Sequence, residues 1–258
     1  MNEKLELRKL LIYAISVYRI PQKIKGMTDK RKRKGIPFFN LIMPVFMALL
    51  LQYESFHTFF SAPESMGRRF GNFIRGRIPK VDAVRDALAL LEADEVGDLL
   101  DSIVEKTYRN AVFRSGTIGG YTAAAVDGVE LFSSTKKSCR KCLTRKNKAG
   151  QTEYFHRSVV CASIGHSPHV VLGQEMLTPR DGGEKDEGEL TGGKRLVRDL
   201  HRKFGHFADV IVADALYLNA PFLNTVLDCH MDAVIRLKDE ERLIYKDAKG
   251  LFEKGEGR

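Results

Sequence analysis

The sequence has few cysteines, and no apolar run in it is long enough to cross a membrane. Four cysteines among 258 residues, with an N-terminus that lacks the basic-then-apolar order of an export signal, favour a reducing, cytoplasmic location. The apolar stretch from Ile36 to Leu51 is shorter than the roughly 20 residues of a span and contains Pro37, Asn40 and Pro44. We predict a buried helix there, with an interfacial segment as the alternative, and expect no membrane partner.

Other patterns are missing as well. Low-complexity segments and internal repeats are absent, and 43% of the residues are hydrophobic, which argues against global disorder and for one large domain or two small ones. The histidines show no pairing of a nucleophile with a neighbouring base. Serine or cysteine hydrolase chemistry therefore has no support in the sequence.

The charge balance favours a polyanionic partner. The formal net charge is +9 and the isoelectric point is about 9.3, so nucleic acid is the first expectation and an anionic membrane surface the second. A basic protein with neither partner is the alternative. The cations are clustered in a run from Lys30 to Lys34 and in a second group that is interleaved with phenylalanines: Arg68, Arg69, Arg75, Arg77 and Lys80.

Apolar residues recur at helical spacing through the first 115 or so residues. Leu7, Leu10 and Leu11 share one helical face near the start, and Val81 and Val84 share another further on. We predict an all-helical, basic, DNA-binding region over residues 1–115. A helix-turn-helix is one arrangement of such helices, and a plain α-bundle is the other.

The pattern changes near residue 116. Strand-like and helical segments then follow in the order strand, strand, strand, helix, strand, helix, strand: about Tyr121–Phe132, Tyr154–Ile164, His169–Leu177, Lys194–Phe204, Val210–Ala213, Asn219–Cys229 and Ala233–Leu237. We therefore predict an α/β domain over residues 116–258, with a mixed β-sheet and flanking helices. The polar, basic segment from Ser133 to Gly150 is predicted to be a loop.

Two aspartates carry the chemical interpretation. Asp127 and Asp214 each follow a run of small or β-branched apolar residues, so each is predicted to lie near the end of a buried strand. A charge in that setting normally has a metal, a cation or a hydrogen-bond partner. Two such carboxylates on adjacent strands would form a hard-oxygen site suited to Mg²⁺ or Mn²⁺.

The order of elements determines whether the two aspartates meet. Three strands, a helix and a strand with an acid at its end describe a ribonuclease-H-like core, in which the first and fourth strands are adjacent. Asp127 and Asp214, 87 residues apart (214 − 127), would then face each other. Two carboxylates that hold two divalent ions about 4 Å apart can activate a water or a 3′-hydroxyl at a phosphodiester.

The same residues resemble IS4-type bacterial insertion-sequence transposases. Residues 125–132 (AVDGVELF) are similar to the first-aspartate region of that family, and residues 187–190 (EGEL) with 212–217 (VADALY) are similar to its second. Residues 142–145 and 154–157 fit a subgroup, and the likeness extends over about 35–252. It implies DNA transposition with Mg²⁺ or Mn²⁺ at Asp127 and Asp214, insertion-sequence ends and target DNA as double-stranded partners, a homodimer in the transposition complex, and association with the nucleoid.

The third acidic ligand of the family has no counterpart in this chain. The family glutamate lies in a Tyr…Arg…Glu…Lys signature beyond a β-rich insertion, whereas only 44 residues (258 − 214) follow Asp214. Residues 242–252 resemble the start of that insertion, and no later glutamate matches the signature: Glu240, Glu241, Glu253 or Glu256. We expect a C-terminally truncated transposase, with a non-catalytic DNA-binding remnant and a stand-alone metal-dependent nuclease as alternatives.

The basic loop after the Asp127 strand is the predicted DNA contact, with a solvated loop as the alternative. Its candidate residues are Lys136, Lys137, Arg140, Lys141 and Arg145. Cys139 and Cys142 form a single CxxC pair in the same loop. Reduced cysteines are the first interpretation, and zinc is the alternative, with His156, Cys161 and His166 as the nearest possible further ligands at irregular spacing. Strand alternation places Glu130 on the face opposite Asp127, as a surface or packing residue.

Overall fold

The protein divides into two compact units, residues 1–103 and 104–258. A computed structural model describes residues 9, 12–13, 15–60, 79–165, 167, 169–179, 186–238, 241 and 243–253. The division falls inside one helix, Ala93–Arg109, whereas the sequence pattern changes near residue 116. The two units are described separately below.

The first unit is helical where it is described. Its helices are α1 (Ile20–Gly26), α2 (Phe38–Leu50), α3 (Phe56–Phe60), α4 (Val81–Leu88) and the first part of α5 (Ala93–Arg109). They enclose an apolar core whose most buried members include Ile24, Leu41, Met43 and Val84. The predicted helix after Ile36 is therefore present and buried, because its apolar side chains fill this core.

Helix α2 ends at Leu50, and the separate helix α3 follows it. The chain leaves helical geometry after Leu50, and Gln52 takes a left-handed conformation with φ of 55°. Because a left-handed residue cannot continue a right-handed helix, the apolar segment forms two short helices. No helix within the described ranges is both long and apolar enough to cross a membrane.

The run of cations from Lys30 to Lys34 lies in the loop between α1 and α2. Arg31 donates to both carboxylate oxygens of Asp29 at 2.9 and 2.8 Å and to the carbonyl of Ile36 at 2.7 Å. Lys30 pairs with Glu92. Arg31 therefore bonds within the loop, and Lys30 ties the loop to Glu92. In contrast, Lys32, Arg33 and Lys34 are exposed. The second basic cluster, apart from Lys80, and the amphipathic residues Leu7, Leu10 and Leu11 lie outside the described residues.

The second unit is built on a mixed β-sheet. Its strands are β1 (Ala123–Ser134), β2 (Leu143–Lys146), β3 (Thr152–Ile164), β4 (Val171–Met176), β5 (Val210–Ala213) and β6 (Asp232–Ile235), in the order β2-β3-β1-β5-β6, with β4 also on β3. β3 pairs antiparallel with β1, β2 and β4. In contrast, β5 runs parallel to β1, and β6 runs parallel to β5. The predicted α/β class with a mixed sheet is confirmed.

β2 was predicted to be part of a loop. Leu143 pairs with Phe155 of β3, and its side chain is buried. One apolar residue among polar neighbours is too little for a strand pattern in the sequence. The strand forms because the longer β3 presents a free edge beside it.

Helix α6 (Glu189–Phe204) packs on β3 and β4 and against helix α7 (Ala220–Asp228). Leu196, Val197 and Leu200 form its buried face. Two glycines let the helix approach closely, because a Cβ on Gly192 would overlap Leu177 and a Cβ on Gly193 would lie 2.8 Å from the ring of Tyr217.

The last described helix is α8 (Leu243–Glu253). The sequence predicted the start of a β-rich insertion over residues 242–252, and this prediction is wrong for the described part of that segment. None of the residues of α8 is buried, and no strand lies beside it to pair with in the described residues. The backbone N–H and C=O groups of α8 bond within the helix, so the segment needs no strand partner.

Candidate functional site

The register of the sheet places two aspartates side by side. β1 and β5 pair in parallel from Ala123 opposite Val210 to Val126 opposite Ala213. The next residue of each strand is an aspartate, Asp127 and Asp214. Adjacent strands lie about 4.8 Å apart, and residues at matching positions in neighbouring parallel strands share a face. The two aspartates therefore occupy matching positions directly after the last pair of the parallel ladder.

A hydrogen-bonded clamp at the other end of the ladder sets this register. Thr122 directly precedes β1, and Asp209 directly precedes β5. Oδ2 of Asp209 accepts from the backbone N–H and from the hydroxyl of Thr122, both at 2.7 Å. The backbone N–H of Asp209 donates to the carbonyl of Thr122 at 2.8 Å. Because Thr122 and Asp209 are level with each other, the residues five positions after them are level too. These residues are Asp127 and Asp214.

The clamp includes a histidine. Nε2 of His206 lies 2.8 Å from Oδ1 of Asp209. This bond, together with those from Thr122, lowers the pKa of Asp209 from 3.8 to about 2. Asp209 is therefore ionised well below neutral pH, and its charge strengthens the bonds that align the two strands.

Both site aspartates are exposed, which corrects the expectation of buried acids. The side chains of Asp127 and Asp214 are in contact with solvent, although Val126 and Ala213 just before them are buried. The change occurs because β1 continues past the end of β5 and loses its cover there. Exposed carboxylates do not need a metal to offset desolvation, so their juxtaposition is the feature that remains.

Each aspartate is oriented by one backbone bond. Oδ1 of Asp127 accepts from the N–H of Gly128 at 2.8 Å. Oδ1 of Asp214 accepts from the N–H of Leu216 at 2.9 Å and caps the short 3₁₀ turn Ala215–Tyr217. Within the described residues, Oδ2 of each aspartate accepts no hydrogen bond. One oxygen of each carboxylate is therefore fixed and the other is available.

A buried tyrosine lies beneath the pair. The hydroxyl of Tyr217 is enclosed, and among the described residues it has no hydrogen-bond partner. Burial raises the pKa of Tyr217, and the negative charges of Glu189, Asp127 and Asp214 raise it further. The charge of Arg157 acts in the opposite direction and lowers the pKa of Tyr217.

Glu189 is the site neighbour that the sequence did not reveal. It lies in the first turn of α6, where a negative charge is favourable because of the helix dipole. Oε1 of Glu189 accepts from Arg157 of β3 at 2.7 Å, and a Cβ on Gly128 would overlap its carboxylate. The glycine after Asp127 was the available signal, but the contact joins residues 61 positions apart (189 − 128).

Glu130 lies where strand alternation predicted it. It is opposite Arg157 in the β1–β3 ladder and accepts from Arg157 at 3.2 Å. Arg145 also donates to it at 2.7 and 3.0 Å, and this bond is the main cause of a lowered pKa for Glu130. The carboxylate of Glu130 is thus ion-paired with two arginines and is not part of the aspartate pair.

The predicted DNA-contacting residues fall into two groups. Four of them are exposed in the segment between β1 and β2: Lys136, Lys137, Arg140 and Lys141. Arg145 differs, because it lies on β2, pairs with Glu153 at 2.6 Å as well as with Glu130, and stacks 4.6 Å from the ring centre of Phe155. The guanidinium of Arg145 is thus held within the sheet by two ion pairs, whereas Lys136, Lys137, Arg140 and Lys141 are exposed.

Comparison with known proteins gives one structural likeness. No family model and no curated protein matches the chain. A cryo-EM structure of a piggyBac transposase synaptic complex with hairpin DNA is similar to the chain with a TM-score of 0.44 and 17% sequence identity. The match covers 92% of this chain and 53% of that one, so this chain spans about half the length of that protein. A similarity of this size assigns no family.

Proposed function

We propose that the chain is a metal-dependent DNA transposase of the IS4 type with a ribonuclease-H-like catalytic core, in which Asp127 and Asp214 hold Mg²⁺ or Mn²⁺. The observation that carries the proposal is the parallel register of β1 and β5, whose last pair, Val126 opposite Ala213, directly precedes Asp127 and Asp214. The resemblance of residues 125–132 and 212–217 to the two aspartate regions of that family supports it.

The donor groups of the site fit a divalent cation. Two adjacent, solvent-accessible carboxylates supply hard oxygen ligands, which Mg²⁺ and Mn²⁺ prefer. The free Oδ2 of each aspartate is the atom available for binding. When bound, such ions activate a water or a 3′-hydroxyl and stabilise charge at the scissile phosphate.

The roles of the protein groups follow from their contacts. The backbone bonds from Gly128 and Leu216 orient the two carboxylates. Arg157 forms an ion pair with Glu189. Glu189 therefore adds less electrostatic repulsion at the site than an unpaired carboxylate would. The four exposed cations between β1 and β2 supply positive charge for a DNA backbone.

The test is a nicking assay on supercoiled plasmid DNA with Mn²⁺ or Mg²⁺. We expect nicking by the parent chain and its loss, by at least 100-fold, in Asp127→Asn and Asp214→Asn, since each change removes an ion ligand. Duplex binding, measured by fluorescence anisotropy, should persist in both. Asp232→Asn, an exposed aspartate at the start of the neighbouring β6, is the matched control and should retain nicking.

The other outcomes separate the alternatives. Binding without nicking by the parent chain identifies a non-catalytic DNA-binding protein, and nicking without joining of the cleaved end to target DNA identifies a nuclease. Nicking that survives both substitutions at Asp127 and Asp214 removes the proposed site.

A further inference from the structure

The loop between β1 and β2 brings two cysteines and a histidine into one cluster. Sγ of Cys139 and Sγ of Cys142 are 3.6 Å apart. Nε2 of His156, on β3, lies 3.3 Å from the first sulfur and 3.4 Å from the second. Three ligand atoms of the kinds that bind soft and borderline metals therefore form a triangle with nearly equal sides.

The size of this triangle matches a tetrahedral zinc ion. With Zn–S bonds of about 2.3 Å and Zn–N bonds of about 2.0–2.1 Å, tetrahedral angles separate two sulfurs by about 3.8 Å and a sulfur from a nitrogen by about 3.5 Å. The three observed distances are within a few tenths of an ångström of these values. A disulfide, in contrast, requires sulfurs about 2.05 Å apart, and all four cysteines are free.

The backbone around the cysteines directs an N–H group at each of the two sulfurs. The N–H of Cys139 points at Sγ of Cys142 at 3.2 Å, and the N–H of Lys141 points at Sγ of Cys139 at 3.4 Å. Hydrogen bonds from N–H groups stabilise a sulfur that carries negative charge. The turn is closed by the N–H of Cys142, which donates to the carbonyl of Cys139 at 3.2 Å.

We propose that Cys139, Cys142 and His156 bind one zinc ion that fastens the β1–β2 loop to β3. Two thiolates and an imidazole select zinc over magnesium, so this site is chemically distinct from the aspartate pair. Within the described part of the chain no fourth cysteine, histidine or carboxylate joins the cluster, and the proposal assigns the fourth position to water. Cys139 is exposed, which leaves that side open to solvent.

The site has a structural consequence for the loop cations. Lys136 and Lys137 precede Cys139, while Arg140 and Lys141 lie between the two cysteines. A metal that joins the CxxC turn to β3 orders these four cations on one side of the sheet. The zinc proposal stands on the distances alone and does not depend on the proposed catalytic function.

The first test is the metal content of the chain purified under reducing conditions and dialysed against metal-free buffer. We expect about one zinc per chain in the parent. Cys139→Ser, Cys142→Ser and His156→Ala should each weaken zinc affinity by more than about 100-fold, because loss of a ligand exceeds the effect of a lost outer-shell contact. Cys229→Ser, at a buried cysteine outside the cluster, should keep the zinc, as should Asp127→Asn.

The second test uses cobalt as a spectroscopic probe of the metal-stripped protein. We expect intense tetrahedral d–d bands with thiolate-to-cobalt charge transfer in the parent and in Cys229→Ser, and neither feature in Cys139→Ser. Cys139 is exposed, so this variant should fold, and circular dichroism checks that it does. The proposal is overturned by a zinc-free parent, by an octahedral cobalt spectrum without sulfur bands, by a Cys139–Cys142 disulfide in the reduced preparation, or by equal loss of metal in Cys229→Ser.

Discussion

Val126 lies opposite Ala213 in the parallel ladder between β1 and β5, and each of these buried residues is followed by an exposed aspartate. The alignment originates four residues earlier (126 − 122), where Thr122 is bonded to Asp209 through side chain and backbone. The proposed ion site therefore depends on a clamp that contributes no ligand to it.

Ion binding at the aspartate pair should be visible as added stability. We expect Mg²⁺ to raise the unfolding midpoint of the parent chain. At an Mg²⁺ concentration of ten times the dissociation constant, the free energy of unfolding should rise by about 1.4 kcal/mol. Asp127→Asn and Asp214→Asn should show no rise, whereas Asp232→Asn should behave as the parent does. Differential scanning calorimetry of the zinc-loaded protein measures this, and an equal rise in all four proteins would show that the ion binds elsewhere.

The salt dependence of DNA binding should separate the loop cations from Arg145. The slope of log K against log salt concentration is negative, and each lost phosphate contact reduces its magnitude by about 0.9. The double change Lys136→Gln and Lys137→Gln should lower it by about 1.8, because both lysines are exposed.

Arg145→Gln is the matched comparison for those lysines. Its guanidinium is held by Glu130 and Glu153, so the salt slope should be unchanged while the thermal unfolding midpoint falls. A slope reduced as much as by a lysine change would show that Arg145 leaves its ion pairs to contact DNA.

Acid should loosen the clamp at Asp209. The folded pKa of about 2 lies below the ordinary 3.8, so the ionised carboxylate favours the folded state above about pH 4. This stabilisation is lost as the pH falls from about 4 to 2. Its size is on the order of 1 kcal/mol after allowance for partial exposure.

Asp209→Asn tests that dependence. The unfolding free energy of the variant, from urea titrations between pH 5 and 2, should be lower than that of the parent at pH 5, and the difference should shrink towards pH 2. Asp232→Asn serves as the control. A difference that stays constant over this range would mean that the charge of Asp209 does not support the clamp.

The close approach of α6 to the sheet should make Gly193 intolerant of a side chain. Gly193→Ala places a Cβ against the fully buried ring of Tyr217, and we expect it to destabilise the second unit by about 1–3 kcal/mol. Gly97→Ala, in the middle of α5 with open space around it, should stabilise its helix by about 0.5–1 kcal/mol. Chemical denaturation measures both, and a stabilised Gly193→Ala would contradict the packing.

Most of the strands could be predicted from the sequence. Apolar runs of strand length predicted β1, β3, β4, β5 and β6, and the acid after two of them predicted where a site would form. These signals are local, because a strand buried on both faces needs continuous apolar residues. The weak strand β2 and the helix α8 were missed, since β2 owes its form to the edge of β3 and residues 242–252 resemble the start of a β-rich insertion.

Residue patterns were enough to predict the two aspartates, the basic charge between β1 and β2, and the α/β class, since each depends on residues close together in the chain. The pairing of charges and the approach of two thiols to a histidine depend on the folded chain. The contacts of Arg157 with Glu189 and of His156 with Cys139 join residues far apart in sequence. Strand register and helix packing create such contacts, and neither can be read from local residue patterns.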